Sequence, residues 1–122
     1  MSSMASHDGD VPTPLCRIDE VHEGAAKRIE LSLHGTFAVF RIGGVFYATD
    51  DHCTHAQASL SEGEIDGEVV TCPAHFGAFH VPTGRAMGFP ATEHLRVYST
   101  FVENGQVFAY LCGEPPHAGS GP

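Results

Sequence analysis

Hydrophobic positions in this chain recur mainly at every second residue or in short runs, the pattern of extended strands rather than of helices. Ile29, Leu31 and Leu33 alternate with Glu30 and Ser32. Residues 37–42 form a β-branched and aromatic run, Gly43-Gly44 signals a tight turn, and residues 45–48 resume the apolar pattern. Asp66-Gly67 marks another turn, ahead of a strand over 68–71. The clearest hairpin is the last: segments 95–103 and 106–111 flank Asn104-Gly105, a pair suited to a type I′ turn because both residues tolerate positive φ. Only residues 19–27 have room for a helical turn or two, and Gly24 weakens even that. The pattern predicts an all-β fold, a small antiparallel sandwich or barrel with its loops gathered at one end.

Composition narrows the picture. A chain of 122 residues is most simply one domain, and its 42% hydrophobic and 17% charged residues are ordinary for a globular protein. Fifteen Asp and Glu stand against six Lys and Arg, which argues against nucleic acid or an anionic membrane as a partner and favours a basic protein surface. No apolar run approaches the roughly 20 residues of a membrane span. Residues 1–8 show neither a basic n-region nor an apolar h-region, so a cytoplasmic protein is expected. Residues 1–12 read as a mobile leader, 13–112 as the single domain, and 113–122 as a flexible tail.

Two short loops carry the chemistry. Cys53-Thr54-His55 and Cys72-Pro73-Ala74-His75 each present one thiol and one imidazole, soft and borderline donors that suit iron, zinc and copper(I). Structural zinc also uses two Cys and two His, but its modules keep like ligands together, opening with C-x₂₋₄-C and closing with H-x₃₋₅-H. One Cys and one His per loop suits two metals side by side, with thiolates on one and imidazoles on the other; that is the ligand set of a Rieske [2Fe–2S] centre. A non-redox zinc module remains the alternative from a different class. Cys16 and Cys112 lack metal-like company and read as small buried hydrophobes near the ends of the fold.

The ordered set Cys53-Thr54-His55, Leu60-Ser61-x-Gly63, Cys72-Pro73-x-His75, Phe79, Thr83-Gly84 and Pro90 resembles the Rieske-type ferredoxins of bacterial aromatic-ring-hydroxylating dioxygenase systems, over about residues 13–112. The resemblance implies a β base with a small cluster-binding subdomain at about 48–92. It places Cys53 and Cys72 on a buried iron of one [2Fe–2S] cluster, and His55 and His75 on an outer iron near the surface. It implies a monomeric electron carrier with no substrate site of its own. Such a carrier receives electrons from a flavin-containing, NAD(P)H-dependent reductase and passes them to a terminal Rieske oxygenase. Another Rieske-dependent monooxygenase or reductase is the alternative acceptor.

Other residues have secondary readings. Phe76, Phe79 and Phe89 are candidates to shield the cluster, Gln57 to border a docking surface, and Asp50, Asp51, Glu62, Glu64, Asp66 and Glu68 to steer a basic partner. His7, His22, His34, His52, His80, His94 and His117 read as ordinary loop or surface residues.

Charge counting explains the histidines. Two ferric ions, two sulfides, two thiolates and two neutral imidazoles sum to zero when oxidised and to minus one when reduced, whereas four thiolates give minus two and minus three, so an electron is added more easily here. Rieske centres span roughly −150 to +300 mV. Respiratory Rieske proteins add a disulfide between the loops and hydroxyls aimed at the cluster; the corresponding positions here are Ala58, Ala74, Gly77 and Phe79. Without those donors the reduced cluster loses hydrogen-bond stabilisation. A redox titration is predicted to place the midpoint toward the negative end of the range, and a clearly positive midpoint contradicts this.

Overall fold

A computed structural model describes residues 11–31, 35–52, 58–73, 77–88 and 94–111. Among them the chain forms eleven strands: β1 (Thr13–Arg17), β2 (Ala25–Leu31), β3 (Gly35–Ile42), β4 (Val45–Asp50), β5 (Glu64–Asp66), β6 (Val69–Thr71), β7 (Ala78–His80), β8 (Arg85–Gly88), β9 (Val97–Tyr98), β10 (Thr100–Glu103) and β11 (Gln106–Ala109). Two 3₁₀ turns, Ile18–Glu20 and Leu60–Glu62, are the helical elements of the described residues. All the strand pairings are antiparallel. The all-β reading therefore holds.

The strands form three sheets, in orders β1-β11-β10, β2-β3-β4-β9 and β5-β6-β7-β8. The middle sheet belongs to two cores at once, because β3 has no solvent face over residues 37–40. Phe37 and Val39 join Cys16, Val21, Ile29, Phe46, Ala48, Tyr98, Val107 and Ala109 in a core shared with the first sheet. Ala38 and Phe40 join Leu60, Val70, Cys72, Phe79, Val81 and Leu95 in a core shared with the third. Alternating side chains from one strand thus enter both cores, and this is why the 37–42 segment reads as a continuous apolar run rather than an alternating one.

Turn chemistry sets the hairpins. The β3–β4 turn has Gly43 at φ 62 and Gly44 at φ 80, and the β10–β11 turn has Asn104 at φ 54 and Gly105 at φ 75. Both are the positive-φ pairs that a twisted two-residue hairpin requires. Gly84 has a different reason to be glycine. At φ 78, a Cβ there would collide with the Leu95 carbonyl oxygen and reach 2.8 Å from Val97 Cγ2. Its own carbonyl accepts from the Leu95 N–H at 2.6 Å, drawing the chain back toward the middle sheet after β8.

The sequence reading differs from the structure in three places. Segment 95–103 is not one strand: it breaks at Ser99, so that β9 pairs with β4 while β10 pairs with β11. Residues 19–27 make one 3₁₀ turn and then enter β2, with Gly24 at φ 77 supplying the corner. Thr13 and Pro14 belong to β1, an edge strand whose register slips between Pro14 and Cys16; an edge or bulge is where a strand tolerates a residue without an N–H. Residues 1–10 and 112–122, hence Cys112, His7 and His117, lie outside the described residues, as do Leu33 and His34.

Cys16 is 6% exposed and sits in the first core, as its small-hydrophobe reading requires. Burial, with the Glu20 carboxylate second, pushes its thiol up from 9.0 to about 11, while Lys27 acts weakly the other way. A pKa raised in the folded state stabilises the fold fully below the unfolded value, and that contribution is lost as pH climbs through the interval between the two. Urea midpoints should therefore fall more steeply between pH 9 and 11 for the parent than for Cys16→Ala. Equal slopes would contradict the burial account.

Candidate metal centre

The first ligand loop leaves the middle sheet at the end of β4. Asp51 and His52 follow, and His52 forms an isolated antiparallel bridge with Ser59. One step further back, the Asp51 carbonyl accepts from the Leu60 N–H at 2.6 Å, and the Asp51 N–H donates to the Thr36 carbonyl at 3.2 Å. Asp51 and His52 are thereby paired with Ser59 and Leu60, and this pairing is tied to β3. Asp51 is 2% exposed, and its Oδ1 accepts from the Ser61 N–H at 2.8 Å. Arg28 Nε lies 3.7 Å from Oδ2.

The second ligand loop is built in the same way at the end of β6. Thr71 pairs with Ala78, and the Cys72 N–H donates to the Gly77 carbonyl at 2.7 Å. Cys72 is a free cysteine with no exposed surface, packed in the second core with Leu60, Val70 and Phe79, and with half-buried Ala58 and Ile65 against it. Ala58 and Leu60 end the first loop while Cys72 begins the second, so the two bases rest on one apolar cluster. Gly63 makes that approach possible: a Cβ there would collide with the Thr71 carbonyl oxygen and lie 3.1 Å from Val70 Cγ2. The backbone leaving the first loop therefore lies directly against the strand that leads into Cys72.

Of the four ligands expected from the sequence, Cys72 lies within the described residues; Cys53, His55 and His75 lie outside them, as do Gln57, Ala74, Phe76, Phe89 and Pro90. Phe79 is fully buried and belongs to the core behind Cys72. His52 is exposed and contributes its backbone to the bridge. His80 is held between the Thr83 hydroxyl, 2.8 Å from Nδ1, and Glu68 Oε1, 3.0 Å from Nε2, and His94 Nδ1 accepts from the Ala86 N–H at 3.1 Å. Both have structural roles.

The acidic rim needs one correction. Glu62, Glu64, Asp66 and Glu68 are exposed, as a steering surface requires. Asp50 is committed to the Tyr98 hydroxyl at 2.7 Å, and burial together with that carboxylate raises the Tyr98 pKa well above the ordinary tyrosine range. Asp51 is buried and presents no charge to a partner. Its structural role had no local signal, since its side-chain partner is ten residues away at Ser61.

The described residues thus form a small all-β domain in which Cys72 is buried on an apolar cluster that also receives Ala58 and Leu60. The chain belongs to the Rieske [2Fe-2S] domain family, whose model matches residues 11–99. The Ferredoxin CarAc of Metapseudomonas resinovorans is 43% identical over 100 residues, covering 82% of this chain and 92% of that protein. The ferredoxin component of the p-cumate 2,3-dioxygenase system of Pseudomonas putida is 42% identical over 102 residues, covering 83% of this chain and 86% of its own length. Among solved structures, a chain from a complex of reduced oxygenase and oxidized ferredoxin in carbazole 1,9a-dioxygenase superposes with a TM-score of 0.80 at 38% identity, covering 86% of this chain and 97% of that one. The cofactor of the family is a single [2Fe–2S] cluster. The donors present fit it: a free thiol, withdrawn from water into an apolar core, is what a screened iron takes up as thiolate.

Proposed function

We propose that this protein is the electron-carrying ferredoxin of an aromatic-ring-hydroxylating dioxygenase system. It takes single electrons from an NAD(P)H-dependent flavin reductase and delivers them to a terminal Rieske oxygenase. In this reading Cys53 and Cys72 hold the inner iron, His55 and His75 hold the outer one, and the cluster supplies a one-electron couple when bound. The protein acts as a monomer in the cytoplasm and has no substrate site of its own.

The observation that carries the proposal is the pair of pinned loop bases over one core, with the Cys72 thiol buried at the base of the second loop. Relatives more than 40% identical and named as ferredoxin components of dioxygenases support the pathway. So does the likeness to a chain in the complex of oxygenase and ferredoxin in carbazole 1,9a-dioxygenase. The residues described here divide the work. The apolar floor excludes water from the thiol side, hydrogen bonds tie the two loop bases to the sheets, and the exposed acids Glu62, Glu64, Asp66 and Glu68 give a docking partner an oppositely charged target.

Two measurements test the reading together. Cys53→Ser and Cys72→Ser should each lose the cluster and its visible spectrum, and with it part of the fold, because the loops lose their common anchor. His75→Cys should lower the midpoint of any cluster that remains. Reconstitution with a flavin reductase and a Rieske oxygenase should make product formation depend on the loaded parent protein and be unsupported by Cys72→Ser. A full cluster in Cys72→Ser would overturn the ligand assignment, and failure of the loaded parent to support any reductase and oxygenase pair would overturn the pathway.

A further inference from the structure

We infer that Asp51 is a positioning residue for the metal centre, holding the base of the first ligand loop so that the cluster is retained in a fixed setting. The inference rests on the reading that Cys53 and His55 are ligands. A carboxylate that is 2% exposed is costly unless its oxygens are engaged, and those of Asp51 are. Its Oδ1 takes the Ser61 N–H at 2.8 Å, and its Oδ2 faces Arg28 Nε at 3.7 Å.

The main chain of the same residue is bonded on both sides, to Thr36 on β3 and to Leu60 on the far side of the loop. A single residue thus links β2, β3 and the exit of the loop at the step before His52 bridges Ser59. Cys53 is the next residue after that bridge.

The ion pair is the lesser part of this arrangement. Arg28 is about half exposed and also pairs with Glu30, with Nη2 3.1 Å from Oε2, so solvent and a competing carboxylate weaken its hold on Asp51. The Ser61 N–H is different. It belongs to the Leu60–Glu62 turn, and a first-turn N–H has no partner within its own turn. Asp51 satisfies it from ten residues earlier, across the ligand loop. What matters is an acceptor oxygen at that place, and an amide oxygen also provides one.

The test compares loaded parent, Asp51→Asn and Asp51→Ala for cluster loss into excess iron chelator, and for the electron paramagnetic resonance lines of the reduced cluster. Asp51→Ala should shed its cluster about tenfold faster than the parent and shift the lines, while Asp51→Asn should stay within about twofold of the parent. Val107→Ala, in the first core, supplies the comparison for general destabilisation and should leave the lines unmoved. The inference is overturned if Asp51→Ala retains its cluster as the parent does, if Asp51→Asn is as labile as Asp51→Ala, or if Val107→Ala sheds its cluster as fast at equal loss of stability.

Should Asp51→Ala fail to fold, hydrogen exchange on the parent decides: slow exchange at the Ser61 N–H supports the clamp, and exchange as fast as at an exposed turn refutes it. A full cluster in Cys53→Ser would remove the ligand reading on which this depends. Loss of cluster in Cys53→Ser but not in Asp51→Ala would remove this inference alone.

Discussion

The whole molecule depends on β3 being buried on both faces. Because Phe37 and Val39 enter one core while Ala38 and Phe40 enter the other, a single strand carries the base of the fold and the floor under the ligand loops. A site presented on hairpin tips is only as well placed as the bases of those hairpins, and tips far from a core are the parts of a protein that open most easily. Here each base is tied by a backbone hydrogen bond next to the second core: Asp51 to Leu60 for the first loop, and Cys72 to Gly77 for the second. Gly63 completes the arrangement by letting the first loop's exit lie against the Thr71 carbonyl, one residue from Cys72.

Cys72, the one expected ligand among the described residues, is placed where water does not reach. In such surroundings low dielectric would sharpen the interaction of a thiolate with a cation and penalise the thiolate without one. The acids that remain exposed lie on β5, at the β5–β6 turn and beside the Leu60–Glu62 turn, close to the ligand loops in sequence and in the fold. The chain as a whole carries a net charge of −9.

Much of this was legible in the sequence, where the cause was local. Gly43-Gly44 and Asn104-Gly105 announce their hairpins because positive φ at two successive positions restricts residue choice. The Rieske family was legible because few other arrangements call for one Cys and one His in each of two short loops. The break at Ser99 had no such signal. Whether residues 95–103 make one strand or two depends on which sheet receives each half, and that is settled by β4 and β11, far away in the chain. Asp51 was misread for the same reason. An acid next to other acids looks like a solvated rim until tertiary structure supplies Ser61, Leu60 and Thr36 as its partners. Gly63 stood out only as part of a family pattern, since the Thr71 carbonyl that forbids a side chain there belongs to another strand.

The central claim is that two pinned loops over one core hold a pair of bridged irons rather than a single tetrahedral ion. Metal and acid-labile sulfide analysis of protein purified without added metal tests it most directly. The account predicts two irons and two sulfides per chain, the content of one [2Fe–2S] cluster. One zinc per chain with no sulfide would contradict it.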